Sequence, residues 1–141
     1  MKFKLYFAIG GEHFDAESFH RLVQIPGATI KQDGYLGQKI DPTRFRKWNV
    51  WESARIDGSI HPGDDINALL ENNAAAISRL QGRKDCESWV GIVGYYLEGE
   101  EPRGFSFQSD TIQALAKIGA SIEIDTVYDP TEIQKYQTKL T

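Results

Sequence analysis

The sequence predicts an α+β fold: a single mainly antiparallel sheet with helices packed on one face, built from two pseudo-repeated strand–helix–strand halves in a ferredoxin-like arrangement. Three observations predict it. Phe19-His-Arg-Leu-Val-Gln-Ile25-Pro-Gly27-Ala-Thr-Ile30 returns near the other end as Ile112-Gln-Ala-Leu-Ala-Lys-Ile118-Gly119-Ala-Ser-Ile122. Each reads as an amphipathic helix, a glycine stop and a small-residue step into a strand; Pro26 alone has no counterpart. Segments of period two alternate with segments of helical period along the chain. Helical segments are also too few to cover both faces of a parallel sheet, so each strand keeps one apolar and one polar face.

Phe3, Leu5, Phe7 and Ile9 alternate with Lys4, Tyr6 and Ala8, the pattern of a half-buried strand ended by Gly10-Gly11. Asp15 is placed to cap a helix, with Phe14 and Phe19 as a hydrophobic staple across its first turn. Phe19, Leu22 and Val23 share one helical face, and Pro26-Gly27 stops it. Residues 31–44 read as a loop with room for a short strand around Tyr35 to Ile40. Phe45 to Trp51 alternates again, with Trp48 and Val50 on one side and Phe45 and Trp51 on the other; rings on both sides leave the buried face open. After a connector at 57–65, Asp64 or Asp65 caps the longest helix, whose stripe is Ile66, Leu69, Leu70, Ile77 and Leu80, ending at Gly82. Ser88 to Leu97 is a strand in which Gly91 and Gly94 mark a bulge or a close backbone approach. A polar turn from Glu98 to Gly104 should lead into a returning strand with Phe105 and Phe107. Ser109 or Asp110 caps a helix to about Ile118, and Ser121 to Tyr128 is the last strand. Residues 129–141 are a polar tail on a single 1–141 domain.

The chain has 141 residues, 40% hydrophobic and 26% charged, which suits one soluble core. Its formal charge of −4 and pI of about 5.4 lack the broad basic footprint of a nucleic-acid binder. The one cysteine, Cys86, excludes an internal disulfide, and no neighbour marks it as activated. No run approaches the roughly 20 apolar residues of a membrane span, and the N-terminus does not read as a signal peptide. The expectation is a cytoplasmic protein with no membrane partner.

His13, His20 and His61 have no partners at metal spacing, and no Walker loop, nucleophile elbow or dinucleotide fingerprint is present. Neither cofactor nor metal nor catalytic residue is therefore expected. An acid–base pair of His13 and Asp15 is the one enzymatic arrangement the sequence offers, and turn and cap chemistry explains those residues better. The basic and aromatic residues concentrate at Arg44, Arg46, Trp48, Trp51 and Arg55, a set that could hold an anionic, nucleotide-like molecule or an acidic protein surface. A second surface is the sheet face away from the helices, where Tyr6 should project with Tyr96 or Tyr95, and with room for Trp51, among Lys4, Glu123 and Asp125.

The chain resembles a bacterial family of small proteins described only as domain of unknown function 4279. The likeness rests on Tyr6-Phe-Ala-Ile-Gly10, Phe14-Asp15, Leu22-Val-Gln-Ile25-Pro26, the strand Trp48-Asn-Val-Trp-Glu-Ser53, and the closing helix, glycine and acidic strand from Leu115 to Tyr128. It departs where the usual proline–threonine after the first helix becomes Pro26-Gly27. The resemblance implies an α+β fold and carries over no catalytic residue. Small bacterial proteins of this kind often serve as toxin-neutralising or other interaction modules, which is the role the resemblance implies. The reading is a non-catalytic binding module, immunity- or inhibitor-like, gripping a protein partner or a second copy of itself; the alternative is a binder of a small anionic ligand.

Overall fold

The computed structural model describes residues 2–36, 46–101 and 104–128, with side chains described for 2–32, 48–101 and 104–128. The expected tail, Arg44 and most of the expected loop at 31–44 lie outside the described residues. In order, the elements are β1 (Lys2–Gly11), α1 (Ala16–Val23), β2 (Thr29–Leu36), β3 (Arg46–Glu52), β4 (Ile56–Asp57), α2 (Pro62–Asn72), α3 (Ala74–Ser78), β5 (Glu87–Tyr95), α4 (Ser109–Ile118) and β6 (Ala120–Val127). They form an α+β fold around one open six-stranded sheet ordered β2-β3-β1-β5-β6, with β4 also on β1.

β1 is antiparallel to β3, β4 and β5, and β2 to β3, while β5 and β6 run parallel. The sheet is thus mixed. A returning strand at Phe105 and Phe107 does not form. Those rings instead lie beside the core, Phe105 edge-on to Phe3 at 5.1 Å. The physical reason is the crossover: from Tyr95 the chain must climb onto the helix layer to reach α4, and β6 then takes the edge of β5 that a hairpin partner would have used.

Alternation along β1 divides the molecule. Leu5, Phe7 and Ile9 enter a core with Phe14, Phe19, Val23, Trp51, Ile66, Leu69, Ala76, Val90, Ile92 and Leu115, drawn from β3, β5 and all four described helices. Helix α1 starts as expected: the Asp15 carboxylate accepts the Ser18 backbone N–H at 3.0 Å and its hydroxyl at 2.9 Å. The Phe14 and Phe19 rings meet at 5.4 Å, closing the staple. Its end differs, because Gln24 takes the left-handed cap at φ 49° before Gly27 is reached.

The longest helix is broken. α2 begins at Pro62, earlier than Asp64, since proline suits the first turn. Asp65 instead accepts from the Ser59 backbone at 2.7 Å. At Asn73 the side-chain amide donates back to the Leu69 carbonyl at 2.8 Å, competing with the helix ladder, and α3 restarts one residue on. β2 already forms from Thr29, earlier than the strand expected at 35–40, because pairing with β3 overrides its weak pattern.

Phe19 joins the cap of α1 to the core, its ring also meeting Trp51 edge-on at 5.5 Å. Phe19→Ala should therefore cost about 3–5 kcal/mol, measured by urea unfolding; a loss below about 1 kcal/mol would place Phe19 outside the core.

Candidate functional site

The even positions of β1 face away from the helices. There Ala8, Trp48, Val50 and Trp89 form a separate small cluster with Tyr6 packed against it. The register sets this: Ala8 pairs with Trp89 and Glu52, Gly10 with Val50, and Tyr6 with Gly91. The indoles of Trp48 and Trp89 lie 6.2 Å apart and meet over Gly10, where a Cβ would touch both. A Cβ at Gly91 would overlap the Tyr6 ring, so the ring lies flat across the neighbouring strand only because Gly91 has no side chain.

A bulge brings the charge. Between the Ala8–Glu52 and Leu5–Ile56 pairs, Tyr6 and Phe7 of β1 face three residues, Ser53 to Arg55. Ser53 closes the gap: its N–H donates to the Phe7 carbonyl at 2.8 Å and its hydroxyl accepts the Phe7 N–H at 2.9 Å. With the extra residue, Arg55 turns onto this face and stacks its guanidinium 5.0 Å from the Tyr6 centroid. Arg55 also pairs with the nearly buried Glu52 carboxylate at 3.3 Å, and Lys31 approaches the same carboxylate at 3.6 Å. Burial, then the charge of Glu52, pushes the Tyr6 hydroxyl above its ordinary range. The nearby Trp89 indole N–H offsets part of that rise but makes no hydrogen bond.

Towards β6 the face turns acidic. Glu123 stands opposite Gly91 and Asp125 opposite Val93. Partial burial, then Asp125 and Glu87, raises the Glu123 carboxyl.

Of the residues expected at a site, Tyr6, Trp48 and Arg55 are brought together. Trp51 is not: it is wholly buried on the opposite face, donating its indole N–H to His20 Nδ1 at 3.3 Å. That bond also makes His20 half-buried, where the helix pattern suggested exposure. The two tryptophans therefore cannot converge on one ligand. Tyr96 meets Tyr128 at 5.3 Å with the rings tilted by 33°, just past the last pairs of β5 and β6. Arg46 lies in β3 with its side chain not described, and Arg44 lies outside the described residues. His13 is exposed, and Asp15 is occupied by its cap.

The sequence reading missed Trp89 and Glu52. Trp89 could have been found from Gly91, since a glycine two positions on leaves room for a ring from the adjacent strand. Glu52 had no such signal, because its partner Lys31 is set by the sheet. Apart from this face, a concavity of about 710 Å³ lies at the start of β5 and β6, lined by Ile77, Leu80, Arg83, Cys86, Lys117 and Ser121 among others. Burial raises the Cys86 thiol there, so it is not an activated nucleophile. Arg83 in that cleft is clamped by both Asp85 oxygens at 2.9 and 2.7 Å. Among the described residues no group of three His, Cys, Asp or Glu is disposed to hold a metal, and no helix is long and apolar enough to cross a membrane.

Fold and face together define a small α+β protein with helices on one side of its sheet and, on the other, a second buried aromatic cluster bordered by half-buried Tyr6 and by charged side chains. The chain belongs to the family described as a domain of unknown function, DUF4279, whose model matches residues 1–129. No match to the chain was found among curated proteins or among solved structures.

Glu123 is harder to ionise in the folded than in the unfolded chain. The stability it withholds is absent below the unfolded carboxyl pKa and grows as pH rises through the raised folded value. Glu123→Gln should therefore raise Tm at pH 7, by on the order of 1–2 °C because solvent screens the site. The gain should vanish near pH 3, and an equal gain at both pH values would contradict the charge origin.

Proposed function

We propose that the chain is a non-catalytic binding module, immunity- or inhibitor-like and cytoplasmic, that grips a protein partner or a second copy through the sheet face around Tyr6. The observation that carries this is the Tyr6–Arg55 stack, seated on Gly91 and beside Trp48 and Trp89. Trp48 and Trp89 are themselves buried and seat the Tyr6 ring; tyrosine and arginine are enriched among the residues that dominate binding energy at protein interfaces. Here their positions are fixed in advance by strand pairing and by Glu52, so little ordering entropy remains to be lost on association. The small anionic ligand is less well supported, since Trp51 sits in the core and Arg55 already has a carboxylate partner. Capping by Asp15 and the raised Cys86 thiol favour a role without catalysis.

We also read the chain as two halves, β1–α1–β2 and β5–α4–β6. In each the second strand runs parallel to the first and ends at a sheet edge. The ferredoxin-like comparison extends to that shared plan of strand–helix–strand units on one sheet.

Affinity capture from the source cells, read by quantitative mass spectrometry, together with light scattering for self-association, tests the binding surface. Arg55→Glu should weaken the retained partner, or the dimer, by about 2 kcal/mol or more, roughly thirtyfold. Gln113→Glu on the exposed side of α4 should leave it unchanged. Equal retention by both variants would remove the Tyr6 face from consideration.

A further inference from the structure

The two edges of the sheet are unlike. β2 is interrupted by a register shift between Lys31 and Gly34, a bulge of the kind that discourages strand addition. β6, the other edge among the described strands, pairs with β5 without interruption from Ser88–Ala120 to Tyr95–Val127. It holds no proline and no lysine, and Glu123, Ile124, Asp125 and Thr126 are all exposed. Such an edge presents a row of backbone donors and acceptors for another strand.

The side chains say which strand. On the face shared with Tyr6, Glu123 and Asp125 stand in a row, with Glu87 near enough to act on Glu123. Among the described residues none of these three carboxylates has an ion-pair partner, although Lys4, Lys31, Arg55 and Arg83 all pair elsewhere. On the helix face, Ile122 is half-buried and Ile124 is 44% exposed. A second copy paired antiparallel about a twofold would set Glu123 and Asp125 against their own counterparts, and like charges directly opposite destabilise a sheet. A strand with cations on one face and apolar side chains on the other relieves the acids and covers the isoleucines.

We propose that the outer edge of β6 receives an extended basic segment of a partner protein as an added strand, with lysine or arginine side chains over Glu123 and Asp125 and apolar ones beside Ile122 and Ile124. This goes beyond the function proposed above, because the edge can be filled whether or not the Tyr6 face is.

The probe is a short peptide in which lysine and valine alternate, with a peptide of the same composition in blocks as its control. Binding is followed by fluorescence anisotropy and by amide hydrogen exchange on the whole chain. The alternating peptide should bind at least tenfold tighter than the blocked one and slow exchange within 120–127. Glu123→Lys with Asp125→Lys should weaken it at least tenfold. Glu98→Lys with Glu101→Lys, which changes the net charge equally at exposed loop positions, should change it less than twofold. Glu123→Gln with Asp125→Asn, a milder pair, should give an intermediate loss even if the double reversal disturbs β6. Absence of binding, equal binding of the two peptides, equal loss in the two charge-reversed chains, or protection confined to other strands would overturn the proposal. So would protection of β6 that grows with protein concentration alone alongside a dimeric mass, since the occupant would then be a second copy.

Discussion

Everything in this protein is referred to β1. It is the middle strand of the sheet, with β3 and β4 paired along one side and β5 along the other. Because side chains alternate along a strand, that double pairing fixes which residues look into the helix layer and which look away. Phe7 and Ile9 are fully buried against the helices, while Tyr6, Ala8 and Gly10 carry the second cluster. A slip of one residue would exchange the two sets, sending Phe7 outward and Tyr6 inward. The bulge at Ser53 is tolerated within this scheme because Ser53 meets both the N–H and the carbonyl of Phe7.

Local chemistry with a nearby partner was legible in the sequence. The alternation of β1, the Asp15 cap, the Phe14–Phe19 staple and the glycine end of α4 all appear where the residue pattern put them. These depend on residues a few positions apart, so propensity and spacing decide them. The strand expected at Phe105 was not legible, because its fate turned on whether β5 paired with a hairpin or with a crossover strand. That competition is settled across the whole sheet. The break at Asn73 had a visible cause in a helix-weakening residue, but the three alanines that follow it masked the signal. For the surface, Tyr6 and Arg55 were legible singly. Their contact was not, since it needs a bulge whose extra residue appears only when β3 and β4 are laid against β1.

The same alternation explains why rings occur on both sides of β3. Trp51 fills the core and donates to His20, while Trp48 joins Trp89 on the far face. One strand therefore supplies an indole to each of two buried clusters on opposite faces of the sheet, and a search for paired tryptophans in sequence cannot separate them. The charged residues divide likewise. Asp15 and Asp65 serve turns and caps, whereas Glu52 anchors Arg55 where it can meet a partner. Glu123 and Asp125, without an ion-pair partner among the described residues, lie on β6 at the border of the same face.

Proton–proton contacts between aromatic side chains, measured by NMR with the tryptophans distinguished by isotope labelling, test the division made by β1 most directly. The account predicts cross-peaks from Trp48 to Trp89, and separately from Trp51 to Phe19 and His20, with none linking Trp51 to Trp89. A cross-peak between Trp51 and Trp89, with Trp48 in contact with Phe19, would mean that β3 is turned over, and the two faces described would be exchanged.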